Sequence, residues 1–446
     1  MKFRNVLAAC ALATGIGAVP VVSAPEARVF TTFDVRGNDR FRDEDVIATS
    51  GLRPGVPVGE PEIIAAVEAL DFTGEFKDVR IFSRGDTLVI LVDEAPGYSG
   101  GLTFALGHDS DDGFVGQVGL SLKDPFGPGT AIDSNLSVAD EVQKFRFTVR
   151  GDQFWGGDRS GGVRFGIENF AYDNTSFDYA AADITAYLNL ALAPRTGAEL
   201  RYTLATDEIS SVDPSASNIL QEEDGNRVSS GVGFSLIHAS EPSEAAAQLA
   251  EAAWSVRFDQ DFTGLGGNTD LSYTKVSFYG RVPLTSNGFA LRTRVELGHV
   301  TALSGDDPTA ADRFFLGGAN LRGFERATIS PRDICEGCGS NGGDTFTNLG
   351  GNTFAVARTD LLVPLFPKQP GLETFLFGDI GSAWSVDTPF AASGQLEDDR
   401  KLRSSYGIGV AFRTPLGIFE SYYAVNASGE DNDEEQAWGL TFRAEF

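Results

Sequence analysis

Arg322, Gly323 and Phe324 close an apolar, glycine-rich passage, Asp312-Arg313-Phe314-Phe315-Leu316-Gly317-Gly318-Ala319-Asn320-Leu321-Arg322-Gly323-Phe324, inside the longest polar connection of a 446-residue chain. Aromatic side chains there would be penalised in water, so the passage is expected to fold back into the lumen of the domain. Further on, Phe377, Asp379 and Gly381 share one parity as F-x-D-x-G, and Arg358 and Asp360 share a parity of the run before. An arginine at a loop tip facing a carboxylate can make two parallel, charge-assisted hydrogen bonds. Such a pair would latch the loop to the wall. Catalytic patterns are thin by comparison. His108, His238 and His299 are far apart in sequence, and no G-x-S-x-G, H-E-x-x-H or lysine-bearing phosphate loop occurs. An enzyme is not expected, nor a cofactor or metal.

The chain has 63 acidic and 35 basic side chains, a net charge of −28, with 52 Gly and 34 Phe. That acidic excess argues against a nucleic-acid partner, whose phosphates need Lys and Arg. Glycine with abundant aromatics suits many strands joined by polar turns. Lys2 and Arg4 precede an uncharged stretch from Asn5 to Pro25, and Val22-Ser23-Ala24 supplies small residues for cleavage, so residues 1–24 read as a secretory signal peptide. Export leaves Cys335 and Cys338, spaced C-x-x-C without a second pair or nearby His, in a Gly- and Ser-rich loop. A local disulfide is expected there rather than a redox or half-zinc pair.

Residues 28–96 read as strand, helix, helix, strand, strand. Val29 to Val35 is extended, Gly37-Asn38 turns, Asp43 to Thr49 is a short helix, and Ile63, Ile64, Val67 and Leu70 follow helical spacing in Pro61 to Leu70. Val79 to Phe82 and Thr87 to Val92 are the closing strands. A core this thin leaves little room for a buried active site. The element order and the phrases Val35-Arg36-Gly37-Asn38, Gly74-Glu75-Phe76-Lys77-Asp78-Val79 and Asp93-Glu94-Ala95-Pro96 resemble a polypeptide-transport-associated (POTRA) domain. An open strand edge on such a domain could recruit an extended peptide through main-chain hydrogen bonds. A mere spacer is the alternative.

From residue 98 to 446 the pattern changes to runs of alternating parity. Phe145, Phe147 and Val149 oppose Lys144, Arg146 and Thr148; Leu200, Tyr202 and Leu204 oppose Glu199, Arg201 and Thr203; Trp438, Leu440, Phe442 and Phe446 oppose Thr441 and Arg443. One apolar and one polar face per strand fits a sandwich or a transmembrane barrel. Connection lengths favour the barrel. With the first strand running outward from the periplasm, short turns such as Ala193 to Thr196 fall on one rim, and the long loops near 207–226, 304–353, 386–401 and 427–436 fall on the other. The fold class expected is mainly β: an antiparallel barrel of about 16 strands, 11 before the longest loop and five after, preceded by one small α+β domain. The acidic run Gly429 to Glu435 is read as solvated, with a divalent-ion site as the lesser alternative.

The L-R-G-F tip after G-G-x-N, the F-x-D-x-G strand, a POTRA-like domain ahead of the barrel and a terminal Phe446 together resemble the outer membrane protein 85 superfamily, which includes BamA- and TamA-like assembly factors and two-partner-secretion transporters. The resemblance implies that Arg322 is the loop-tip arginine, Asp379 its strand partner and Asp360 a second acidic neighbour, with Gly323, Phe324, Phe377 and Gly381 completing the motif. It also implies a weak seam between the first and last barrel strands, with Trp438, Phe442 and Phe446 as seam and assembly signal. The expected location is the bacterial outer membrane, with the POTRA domain in the periplasm. The function implied is assembly or translocation of unfolded outer-membrane or secreted polypeptide, in contact with outer-membrane lipid. Secretion of one exoprotein by a two-partner transporter, or a passive porin-like channel, are the alternatives. Only one POTRA domain fits, and residues 25–28 leave no space for a plug helix, which tilts the expectation toward the BamA/TamA-like side.

Overall fold

The computed structural model describes residues 27–73, 75–94, 99–151, 159–172, 174–241, 252–304, 307–339, 342–366, 369, 371–414 and 417–443. The expected signal peptide, 1–24, and Phe446 lie outside the described residues. The chain divides into two compact units, residues 1–97 and 98–446.

In the first unit, β1 (Arg28–Val29), β2 (Thr32–Arg36), α1 (Asp43–Thr49), β3 (Pro57–Val58), α2 (Glu60–Phe72), β4 (Phe76–Arg84) and β5 (Thr87–Glu94) follow one another. The three-stranded sheet runs β2-β5-β4, with β2 parallel and β4 antiparallel to the central β5. A parallel neighbour requires a crossover, which the two helices provide. Val35, Val46, Ala66, Leu70, Leu88 and Ile90 form the core. Ile64 departs from the helical-face reading: it is 51% exposed, and Ala66 occupies the core position instead. Gly37 has φ +85°, and a Cβ there would lie 2.1 Å from the Val92 carbonyl oxygen, so the turn after β2 admits only glycine. The Glu94 carboxylate accepts the Arg40 and Phe41 amides at 3.0 and 3.2 Å, tying the end of β5 to that turn.

The second unit is one sheet of sixteen antiparallel strands in chain order. Before the longest connection come β6 (Ser99–Asp109), β7 (Gly113–Lys123), β8 (Thr130–Val138), β9 (Val142–Gly151), β10 (Arg159–Phe170), β11 (Asp178–Ala193), β12 (Thr196–Ser210), β13 (Gly225–Ala239), β14 (Ala253–Gly267), β15 (Leu271–Pro283) and β16 (Ala290–Ala302). After it come β17 (Thr353–Leu362), β18 (Leu372–Trp384), β19 (Arg403–Thr414), β20 (Gly417–Ser428) and β21 (Trp438–Arg443). The division is eleven and five, as the alternation predicts.

Period-two patterning sets which face is which. Leu200, Tyr202 and Leu204 on β12 point outward and are exposed, whereas Arg201 points inward and grips Asp261 of β14 through two bonds, 2.7 and 2.5 Å. The rim asymmetry is less complete than the sequence suggests. Connections 211–224, 303–352, 385–402 and 429–437 are long and share one rim, but 110–112, 139–141 and 268–270 on that rim are tight turns, and 240–252 on the opposite rim is a longer excursion. Among the described residues, chain-order pairing stops at β6 and β21, which are sheet neighbours of β7 and β20 but not of each other.

Leu88→Ala is expected to destabilise the first unit by about 2–5 kcal/mol, and Ile64→Ala by less than about 0.5 kcal/mol. Amide exchange over residues 27–94 of the full chain measures both; equal effects would mean the core is misplaced.

Candidate functional site

The connection 303–352 turns back into the barrel. Its reversal depends on Gly317, whose φ of +121° and hypothetical Cβ 1.9 Å from the Glu325 carbonyl oxygen exclude any side chain. The Asn320 side chain accepts the Gly317 amide at 2.8 Å and closes a single 3₁₀ turn, Gly318–Asn320. Leu316, Leu321, Phe324 and Ile329 then pack on Phe354, Val356 and Ala383 of the wall. This is where the aromatic residues of a nominally exposed loop go.

Between Leu321 and Phe324 the tip delivers Arg322, 1% exposed. Its Nε and Nη2 donate to the two Asp379 carboxylate oxygens, each at 2.7 Å. Nη2 also donates to Asp360 at 2.7 Å, and Nη1 lies 3.5 Å from Glu420. The Arg322 amide reaches Asp379 at 3.2 Å, and the Ser405 hydroxyl donates to the Arg322 carbonyl. The guanidinium carbon sits 3.8 Å from the Phe377 ring centroid, a desolvated cation–π contact. Gly323 has φ +95° and no room for a Cβ against Asn426 and Ser405, while Gly381 leaves space for Leu316. Arg322, Gly323, Phe324, Asp360, Phe377, Asp379 and Gly381 are thus brought to one place.

Burial alone would lower the Arg322 pKa, but the bonds to Asp379 and the charges of Asp379, Asp360 and Glu420 outweigh it and hold the pKa above the ordinary arginine value. The group stays charged at any pH the fold survives. Sequence reading gives Arg358 only its parity and leaves two further partners, Glu420 and Arg292, unassigned. Glu420 lies on β20. Arg292 of β16 donates to Asp360 at 2.9 Å and to Glu373 at 3.1 Å. Arg358 has its Nε 3.7 Å from Asp379 and its Nη1 donating to the Ala319 carbonyl. All sit on lumen parity, the one signal that marked them; cross-strand register, with Arg292 opposite Asp360 and Arg358 opposite Asp379, decides the rest.

A second set of contacts joins the long loops to one another. Arg313 pairs at 2.5 Å with Glu223 of α3 (Asn218–Glu223), both buried. The Asp333 carboxylate accepts the Ser217 hydroxyl at 2.5 Å and the Ser393 and Gly394 amides at 2.6 and 2.9 Å. Asp433 takes Arg332 at 2.5 Å and Arg403 at 2.9 Å. The acidic run 429–435 is therefore not simply solvated. Burial works against the Asp433 charge, but the bonds from Arg403, the Glu430 amide and Arg332 lower its pKa below the ordinary value. Cys335 and Cys338 are joined as a disulfide at the end of a short strand, Arg332–Cys335, that pairs with Thr345–Asn348 and Gln395–Glu397.

At the seam, Trp438 is 68% exposed and its ring lies 4.9 Å from that of Tyr423. Phe442 does not share that exposure, although the two have the same parity. It is buried, 4.6 Å from the Phe419 ring, and rests on Gly107 of β6. Gly107 has lumen parity, opposite to the exposed Leu106, so Phe442 fills the seam instead of facing outward. A backbone bond across the seam runs from the Ser110 amide to the Leu440 carbonyl, 2.8 Å.

Residues 125–444 match the Omp85 superfamily domain. The chain belongs to the Omp85 superfamily. Its relatives include the outer membrane protein assembly factor BamA of Neorickettsia risticii, 24% identical over 406 residues, covering 89% of this chain and 52% of that protein. BamA of Nitratidesulfovibrio vulgaris is 25% identical over 241 residues, 53% of this chain and 28% of that protein. The chain thus spans about half, or less, of the length of these curated relatives. Among solved structures, BamA from Haemophilus ducreyi lacking POTRA domains 1–3 shares the fold with a TM-score of 0.76 at 17% identity, over 93% of this chain and 84% of that one. CdiB from Acinetobacter baumannii gives 0.53 at 14% identity, over 93% and 73%. As an Omp85-superfamily β-barrel, the second unit is a protein of the bacterial outer membrane.

Arg322→Ala leaves Asp379 buried without its principal cation, a loss of about 3–5 kcal/mol for a buried pair. The loop 303–352 is expected to become protease-sensitive while the barrel still integrates, and Arg322→Lys is expected to restore little, since an ammonium cannot bond both oxygens in one plane. Unchanged protease sensitivity would refute the latch. For Asp433 the lowered folded pKa means that its contribution is complete above the ordinary aspartate value of about 3.9 and fades only as pH falls through the lower folded value. Exchange protection of residues 429–437 should be flat from pH 8 to pH 5 and fall below pH 4; Asp433→Asn should abolish that step.

Proposed function

We propose that this chain is an outer-membrane protein assembly or translocation factor, engaging unfolded polypeptide through its first unit, read as a periplasmic POTRA domain, and through the seam between β6 and β21. The observation that carries this is the seam itself. Among the described residues, the ladder that joins every other neighbouring pair of strands is not continued between β6 and β21. In a bilayer an unpaired strand edge has no water to bond, so it favours whatever strand can pair with it. An incoming client strand supplies the missing partner. In the first unit, β2 and β4 each keep one edge open among the described residues, suited to main-chain pairing with clients of varied sequence.

A passive channel fits less well. The loop 303–352 enters the lumen and is held there by Arg322, a costly arrangement for a pore. Secretion of a single exoprotein is the second reading, favoured by the fold shared with CdiB, although the higher TM-score is with BamA.

Photo-crosslinkers placed at Asp34 on β2, Lys77 on β4 and Leu106 and Leu440 at the seam test both. Capture of many nascent barrel proteins supports assembly, and capture of one large secreted chain supports two-partner transport. No polypeptide at any of the four positions would sink the proposal.

A further inference from the structure

The latched loop also touches both sides of the seam. Immediately after Arg322, Gly323 and Phe324 pair as an antiparallel two-residue bridge with Gln436 and Glu435, the residues that lead into β21. The Glu325 amide donates to the Glu434 carbonyl at 2.9 Å, and the Glu434 amide donates to the Thr328 hydroxyl at 2.9 Å. The loop tip is therefore sewn to the last strand through its backbone.

One residue further along, the same tip reaches the first strand. Arg326 Nη1 donates to Asp112, and Nη2 lies 3.5 Å from Asp111, both in the tight turn that follows β6. Asp111, with a side chain only 2% exposed, also accepts Gln436 Nε2 at 2.8 Å, and Gln436 in turn accepts the Tyr422 hydroxyl of β20 at 3.2 Å. A Cβ on Gly318, whose φ is +58°, would fall 2.3 Å from the Asp111 carboxylate, so the tip's glycine makes the approach possible. Arg326 is oriented by Tyr172, whose ring centroid is 4.8 Å from the guanidinium.

We propose that Arg326, with Asp111 and Asp112, is a clasp that holds the loop-side end of the seam closed, so that the position of the latched loop sets how far the first and last strands can part. Arg322 and Arg326 stand one turn of loop apart on the same tip. Separating β6 from β21 at this end must break the clasp or drag out a tip that Asp379 and Asp360 retain. Toward the opposite rim the clasp has no counterpart among the described contacts; there the seam is filled by the Phe442 ring over Gly107, a contact without hydrogen-bond directionality. On this proposal the clasp acts as the hinge about which the two strands part. Arg326 is a positioning residue for the strand exchange proposed above and rests on that reading only for its use, not for its existence.

Amide hydrogen exchange of the full chain in lipid nanodiscs, with no client present, tests the clasp. Arg326→Gln and, separately, Asp112→Asn are expected to accelerate exchange in residues 104–112 and 437–443 by about tenfold, the loss of one charge-assisted hydrogen bond. Residues 178–210 on the far wall should be unaffected, which also certifies the fold. The charge-exchanged pair Arg326→Asp with Asp112→Arg should recover most of the protection. Unchanged seam exchange in both single variants overturns the proposal. So does acceleration spread evenly over 303–352, because the seam would then follow collapse of the loop and not release of a clasp. Faster seam exchange combined with unaltered client cross-linking leaves the clasp standing and sinks the seam as the client's route.

Discussion

Every amide in a sheet that crosses lipid needs a partner, and a sheet of sixteen strands meets that demand along fifteen neighbouring pairs. At the sixteenth meeting, between β6 and β21, it is met incompletely among the described residues. Most of what distinguishes this barrel from an ordinary pore lies within reach of that junction: the tip of the longest loop, the glycine under Phe442, and the polar chain from Tyr422 through Gln436 to Asp111. The structure spends its strongest interactions on holding a loop next to its weakest pairing.

The lumen makes that possible by alternating charge. Glu373, Arg292, Asp360, Arg322, Asp379 and Arg358 form a continuous run of opposite neighbours across β16 to β18 and the loop tip. A single guanidinium placed in such a site without carboxylates would cost several kcal/mol of lost hydration. With two carboxylates bonded directly and a third nearby, the cation is held firmly and the carboxylates are compensated in turn by Arg292 and Arg358. The aromatic rings of Phe377 and Phe375 exclude water around it and leave only these geometric bonds.

Much of the wall was legible because membrane and lumen impose a strict period. Trp438, Leu200 or Phe145 must alternate with polar residues whatever their neighbours are, so strand number and long-loop positions follow from one dimension. The latch was partly legible for a related reason: Arg322, Asp360 and Asp379 carry residue types too costly to bury without one another. Glu420 and Arg292 were not legible, and Arg358 only by its parity, because their meeting depends on register between strands and on the pitch of the wall. The same holds for Arg313 with Glu223 and for Arg332 with Asp433, which join loops from different parts of the chain. Phe442 misled for a geometric reason. Parity assigns it the lipid face, but at an edge with no ladder to hold the two strands in one surface, its ring settles against the inner side of β6. Ile64 misled by the breadth of a helical face, which places an isoleucine one step beyond the core.

Asp333 unites segments that the ribosome releases far apart: Ser217, then its own strand, then Ser393 and Gly394. Non-local closure of this sort pays its chain entropy before it gains any bond. The Asp333 contacts need the chain through the connection between β18 and β19, and the Arg332–Asp433–Arg403 cluster needs it through the connection after β20. The roof over the barrel is thus drawn from connections that only a nearly complete wall brings together.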